Sequence, residues 1–512
     1  MQAETELIFE PKHYEILSTA SIAEVRTHVL KHADTFAVFD THGDVTPAGN
    51  GEQGLYHAGT RYLSRMELWL GHARPVLLSS AVRKDNALLT VNLTNPDITD
   101  GERTIGHGML HFFRTRLVWE GRCYEHLRIR NFGPEPARIS FAYLFAADFA
   151  DIFEVRGNRR PRRGTRLAPV RHEGGVDLGY RGLDGVTRRA VIRFSPEPLQ
   201  VMDSAARYDV ELDPQEEFSV YCCVSCTADG SLDDVTYGDA LRARRELAVT
   251  LKEDACHVTT ADAQFNAWLQ QSLEDLNLLL TEVPDGQYPY AGIPWYNTFF
   301  GRDGLITALM TLWINPSIAR GVLGYLARTQ ATEHNPERVA EPGKILHEAR
   351  DGEMAALNEI PFGRYYGTVD ATPLFVMVAG EYFRHTNDIA FIEGLWPSIE
   401  RALAWIDDYG DIDGDGFVEY SAHTEGLTQQ GWKDSEDSIF HDDGTLAEGP
   451  IALCEVQSYV YAAKKAASRL ARARGDFDRT RLLRAESEEL RRRFEEAFWI
   501  DDISMYALAL DG

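Results

Sequence analysis

The sequence predicts a multidomain chain, β then α: an antiparallel β-sandwich followed by an (α/α)6 toroid. Three observations predict it. Apolar residues alternate with period two before about residue 245. They switch to helical spacing after about 260, and the helices there are of two alternating kinds. Length agrees, since 512 residues exceed what one ordinary core holds. The expected domains are 1–245 for the sandwich, 246–260 for a linker and 261–512 for a partial toroid.

In the first part, Ile139, Phe141, Tyr143 and Phe145 alternate with other residues. Tyr62, Ser64, Met66, Leu68 and Leu70 form another period-two face. Apolar runs recur at 75–82, 86–93, 109–119, 122–132 and 217–227, separated by Gly, Pro, Asn and Asp. Many strands without helices between them favour a sandwich. The segment 236–260 is charged and shows no clear period, which places the junction there.

In the second part, Phe265, Leu269, Leu273, Leu276 and Leu280 follow helical spacing, with Thr260 as the expected N-cap. Asn315-Pro316, Thr372-Pro373 and Gly449-Pro450 open helices at 316–330, 373–386 and 450–474. The segments 301–314, 373–386 and 450–463 are apolar nearly all round, so they are expected to be buried. Those at 316–330, 397–409 and 477–498 each carry one charged face. That alternation suits two concentric rings. Links from buried to amphipathic helices are short, whereas those entering buried helices are long, at 284–300, 331–371 and 410–449. Long loops rich in aromatics and glycine are usually functional. Parallel inner helices would gather all three at one end, which builds a pocket.

The first loop carries Trp295, Tyr296, Arg302 and Asp303. Flat aromatic faces suit the C–H faces of a sugar, and Arg and Asp can fork hydrogen bonds onto vicinal hydroxyls. Packing under the loop, with an Arg302–Asp303 salt bridge, accounts for the same residues. In the second loop, Glu348, Tyr365 and Asp370 are the expected ligand contacts, although Asp370 could equally cap the next helix. The third loop opens with Asp411-Ile412-Asp413-Gly414-Asp415-Gly416-Phe417-Val418-Glu419, which begins like a calcium-binding EF-hand loop. The match fails at Ala422, where a bidentate Glu should stand, so a tight Asx/Gly turn is the expectation and no metal is assigned.

Gly431-Trp432-Lys433-Asp434-Ser435 follows, with Glu436 and Asp437 close behind. Glycosidic cleavage needs one carboxylic acid to protonate the leaving oxygen and a second carboxylate across the ring. Crowded carboxylates and an aromatic wall raise a carboxyl pKa as an acid requires. Asp434 meets that demand, and a solvated acidic loop is the alternative.

Composition removes other classes. Net charge is −27, from 52 basic and 79 acidic residues, which argues against nucleic acid or an anionic membrane as partner. The basic run Arg156-Gly157-Asn158-Arg159-Arg160-Pro161-Arg162-Arg163 is short and reads as a loop facing acidic surface. No stretch approaches the roughly 18 apolar residues of a membrane span. Met1-Gln2-Ala3-Glu4-Thr5-Glu6 lacks the start of a secretory signal, and six cysteines make no disulfide scaffold. A cytoplasmic location is expected. No Gly-x-Ser-x-Gly elbow, phosphate loop or His-Glu-x-x-His motif occurs, and no cofactor is expected.

Four ordered motifs carry a resemblance. These are Ile293-Pro294-Trp295 with Phe300-Gly301-Arg302-Asp303-Gly304, then Pro342-Gly343-Lys344-Ile345-Leu346-His347-Glu348, then Val369-Asp370-Ala371-Thr372-Pro373, and Gly431-Trp432-Lys433-Asp434-Ser435. With Ala147-Asp148-Phe149-Ala150-Asp151-Ile152-Phe153-Glu154-Val155-Arg156-Gly157, they resemble bacterial glycogen debranching enzymes, or amylo-α-1,6-glucosidases, over nearly the whole chain. The resemblance implies hydrolysis of α-glucans with inversion, and Asp434 at the general-acid position. It implies a pocket shaped by Trp295, Arg302, Asp303, Glu348, Tyr365, Asp370, Trp432 and Lys433. An exo-glycosidase on a small trehalose-like or glucosylglycerate-like substrate, and a catalytically silent glucan-binding protein, are the alternatives. Such enzymes continue well past Gly512. About seven helices can be drawn from residue 260 onward, fewer than six pairs, so an open ring is expected, with the general base outside this chain.

Overall fold

A computed structural model describes residues 26–47, 51–100, 103–228, 236–253, 255–421 and 426–511. The segment Met1–Glu6 and Ala422 lie outside the described residues. Two compact units divide the chain. One takes the described residues within Met1–Val249, with Ala267–Leu278 and Ile293–Trp295; the other takes the remainder.

The first unit is an antiparallel sandwich. Its larger sheet runs in the order Thr165–His172, Gly175–Arg181, Thr187–Ser195, Glu217–Ala228, Arg122–Asn131, Leu110–Trp119, Leu89–Thr94, Val76–Val82. The smaller sheet runs Gln200–Val201, Ala205–Leu212, Ala137–Ala146, Arg65–Leu70. The expected alternation is what packs them. Met66, Leu68, Phe141, Tyr143 and Tyr208 from one sheet meet Leu93, Phe112, Leu127, Ile192 and Val220 from the other in a single core.

Ten helices, numbered in chain order, occur among the described residues: α1 (Ile152–Val155), α2 (Tyr237–Glu253), α3 (Ala263–Leu279), α4 (Gly301–Thr311), α5 (Pro316–Thr329), α6 (Glu353–Ala356), α7 (Ala371–Thr386), α8 (Ile389–Asp408), α9 (Cys454–Ala473) and α10 (Phe477–Phe498). In the second unit, α4 packs on α7 and α7 on α9, while α5, α8 and α10 flank them. This is an arc of the expected double ring.

Several expectations need correction. The segment 236–260 is helical as far as Glu253. Ala240, Arg244 and Leu251 are its buried residues, and the aliphatic stem of Arg244 fills a position that reads as charged. The cap of α3 is Asp262, whose Oδ1 accepts from the N–H groups of Gln264 and Phe265. Helix α8 starts at Ile389, not 397. Asp388 caps it, and Ile392, Leu395, Trp396 and Ile399 bury enough apolar surface to carry Pro397 inside the helix. Helix α9 starts at Cys454, because Ile451–Leu453 spends its backbone hydrogen bonds on Ala509–Asp511 and Tyr420. Helix α4 is not covered all round either, since Met310 is 68% exposed.

Helices α7 and α9 approach closely at Gly380. A Cβ there would stand 2.5 Å from the Ala466 Cβ. Gly380→Ala gains about 1 kcal/mol of helix propensity but overpacks at about 1–3 kcal/mol. A lower thermal midpoint than wild type is the expected result in a melting experiment.

Candidate active site

Helix α4 begins against the second loop. The N–H of Gly301 donates to the His347 carbonyl oxygen at 2.8 Å, and the strand Phe299–Phe300 pairs with Glu348–Ala349. A Cβ on Gly301 would overlap the Leu346 carbonyl oxygen, so only glycine lets α4 start this close. The next residue, Arg302, is thereby fixed in place.

Arg302 is the hub. Its Nη1 donates to Asp370 Oδ2 at 2.9 Å, and its Nη2 lies 3.6 Å from Asp434 Oδ2. Three distant loops thus supply one guanidinium and two carboxylates. The Asp370 carboxylate is buried. Its second oxygen accepts from Thr368 Oγ1 at 2.5 Å, and its side chain makes no capping bond to α7. Burial works against the charge on Arg302, but Asp370, Asp303 and Asp434 hold it protonated and raise its pKa. Arg302 therefore pairs with Asp370 and Asp434 rather than with neighbouring Asp303. Burial raises the Asp303 carboxyl, with Asp370 and Asp434 adding to the effect against Arg302.

The third loop reaches this point because Val369 N–H donates to the Gln430 carbonyl at 3.0 Å. Ser438 Oγ donates to the Lys433 carbonyl at 2.7 Å and closes the turn. The Asp434 side chain is 54% exposed. Trp432 is exposed as well, with the Lys433 ammonium 5.9 Å from its ring centre.

The remaining expected contacts have their own partners. Glu348 is buried and takes the Arg350 Nε–H at 3.2 Å. Tyr365 is fully buried, and its hydroxyl accepts from the Leu427 N–H at 2.8 Å, so it props the third loop. Trp295 falls in the first unit, its ring 5.9 Å from the Arg156 guanidinium.

Three groups escaped the sequence reading. Burial raises the Glu455 carboxyl, and Asp370 adds to this while Lys433 and Arg302 oppose it. Burial likewise raises Tyr459, with Asp370 and Glu455 contributing. Glu455 and Tyr459 stand one turn apart at the start of α9, an i,i+4 pair directly after the third loop. That spacing is the signal that could have found them. His347 is pushed down to about 3 by burial and by Arg302, Arg350 and Lys344. It is a neutral ring edge-on between Phe300 and Tyr365.

The opening of the third loop is an Asx turn. Asp411, Asp413 and Asp415 accept from the N–H groups of Gly414, Asp415 and Phe417. Their carboxylates and that of Glu419 lie within 4.8 Å of one another, a donor set that could hold a divalent cation. Burial, with Asp413 and Asp415, pushes Glu419 up to about 7.

The architecture is a β-sandwich followed by an arc of a helical double ring, with carboxylates gathered on an arginine at the helix starts. Residues 30–223 match the N-terminal domain of some glycogen debranching enzymes. Residues 302–509 match the mannosylglycerate hydrolase MGH1-like glycoside hydrolase domain. The chain thus joins a region similar to a debranching-enzyme N-terminal domain to a region similar to a glycoside hydrolase domain. No curated protein matches the sequence. Among solved structures, a protein described as a kojibiose phosphorylase from the human microbiome superposes with a TM-score of 0.58 at 10% identity, over 94% of this chain and 69% of that one. A bacterial glucoamylase complexed with acarbose gives 0.50 at 10% identity, over 92% and 67%. Identities this low speak for the fold alone. No helix among the described residues is long and apolar enough to cross a membrane.

Proposed function

We propose that the helical unit hydrolyses an α-glucosidic bond, with Asp434 as the proton donor to the leaving oxygen. One observation carries this reading. Asp434, Arg302 and Asp370, from three separate loops, converge within hydrogen-bond or ion-pair distance at the starts of adjacent helices. Trp432, two residues before Asp434, offers an exposed ring for the apolar face of a sugar. Asp370 locks Arg302, and Arg302 in turn orients Asp434. Asp303 and Glu455 are the other carboxyls in electrostatic reach.

Inversion requires an ionised carboxylate roughly 6.5–9.5 Å across from the acid, with water between them. Asp370 has both oxygens engaged, so it does not suit the part. We assign no base.

The N-terminal match supports an α-1,6-linked glucan, the debranching reading. The match of residues 302–509 to a mannosylglycerate hydrolase-like domain favours a second reading, an exo-glycosidase on a small glycoside of the glycosylglycerate kind. Product profiling on panose, isomaltose, limit dextrin, trehalose and glucosylglycerate separates the two. Glucose released from panose and limit dextrin supports debranching, and cleavage of glucosylglycerate alone replaces it with the second reading. Turnover of none of the five removes the hydrolase proposal for this chain.

A further inference from the structure

A cavity lies on the sandwich unit. Its volume is about 470 Å³, inside the range of about 300–1,000 Å³ typical of small-molecule pockets. It sits on the outer face of the larger sheet at the N-terminal end of α2, lined by Tyr124, Arg193, Ser195, Tyr221, Cys223 and Tyr237. The register explains this face. Cys223 lies between Tyr124 and Arg193 on neighbouring strands, and Tyr221 lies between His126 and Ser195. These side chains alternate with Cys222 and Phe194, which belong to the sandwich core.

Two features point to a ligand. The first is a preformed aromatic wall. Tyr221 stacks on His126 with ring centres 4.2 Å apart and planes 12° from parallel, yet is 42% exposed. Tyr237, fixed by a 2.8 Å bond between its hydroxyl and Thr115, meets His126 edge-on. The second is Tyr124, 1% exposed, which lines the cavity with its hydroxyl beside Arg122.

Charge narrows the ligand class. Arg193 Nη1 lies 2.7 Å from Asp177 Oδ1, so its charge is already balanced and an anion gains little there. An aromatic wall, hydroxyls on Ser195 and Thr236, and a neutralised guanidinium suit an uncharged polyhydroxylated ring. We propose that this cavity binds a neutral glucosyl unit, holding substrate or product on the sandwich unit apart from the Asp434 site. The choice of glucose rests on the function proposed above.

The test is calorimetric titration of the full chain, carrying Asp434→Asn to prevent turnover, with maltotriose, isomaltotriose and D-glucose. Two sugars bound per chain are expected. Tyr221→Ala, or Thr236→Trp as a plug on the exposed rim, should remove one of them or weaken it roughly tenfold or more. Thermal midpoints matching the parent show that the variants are folded. Trp432→Ala should affect only the other site. Binding that Tyr221→Ala and Thr236→Trp leave unchanged overturns the proposal, as does the absence of binding by any of the three sugars. A single site lost in those two variants but indifferent to Trp432→Ala upholds the cavity and counts against the Asp434 site instead. Binding of maltotriose but not glucose identifies chain ends of a polymer as the ligand, rather than free monosaccharide.

Discussion

Asp434→Asn is expected to lower kcat on the cleaved glycoside by about 10²–10⁴-fold, the usual contribution of a positioned general acid. Asparagine has the same shape and keeps an oxygen to face Arg302, 3.6 Å away in the wild type. The Arg302–Asp370 pair, with Asp370 1% exposed, does not depend on Asp434 and should hold the pocket together. Sugar affinity should therefore survive while turnover fails. Initial rates at saturating substrate, beside calorimetric binding to the same variant, check both halves. Loss of binding together with turnover would make Asp434 a substrate contact instead. An unchanged kcat would exclude it as proton donor.

Periodicity made the architecture legible. The alternation through Phe141 and Tyr143 and the charged face of 477–498 mark elements that appear where expected. Reading failed where a tertiary contact overrode a local signal. Pro397 reads as a helix start, but the apolar surface buried by Ile392 and Trp396 extends the helix through it to Ile389. Pro450 reads the same way, yet Ile451–Leu453 finds a strand partner near residue 510, which no local pattern announces.

The site follows the same division. Motif loops flagged Arg302, Asp370 and Asp434 singly, while the Arg302–Asp370 pair alone spans 68 residues and belongs to the fold. Aromatic and acidic content could not separate residues facing open space from residues propping a loop. Tyr365 and Glu348 are of the second kind: one accepts a backbone N–H and the other pairs with Arg350. Glu455 was hidden because a carboxylate in the first turn of a helix is ordinarily explained by the helix dipole. Its burial beside Asp370 is visible only in three dimensions.

Arg114→Leu is expected to destabilise the sandwich unit by about 3–5 kcal/mol, the cost of leaving buried charges without their partner. Arg114 is fully buried. It bridges Asp44 at 2.6 Å and Glu125 at 2.8 Å, both of them almost inaccessible to water. Arg74 on Asp44 and Arg116 on Glu125 complete the cluster, and the Tyr143 hydroxyl donates to Glu125 at 3.1 Å. Burial alone would raise both carboxyls. Arg114 first among the arginines reverses this and holds each below its ordinary value. The sign follows from linkage. A carboxyl depressed in the folded state contributes stability above its unfolded pKa of about 4, and loses it as pH falls through the folded value. The deficit of the variant should therefore be largest near neutral pH and shrink in acid, where wild type also protonates these groups. At about 2–4 °C per kcal/mol for a domain of this size, the neutral-pH melting point should drop by roughly 10 °C. Calorimetry at pH 7 and at about pH 3, below the unfolded carboxyl value, checks both size and direction. Adding Asp44→Asn and Glu125→Gln to Arg114→Leu should recover part of the loss, because neutral amides carry less of the desolvation cost. Equal melting points for wild type and Arg114→Leu at pH 7 would show that the cluster contributes no net stability.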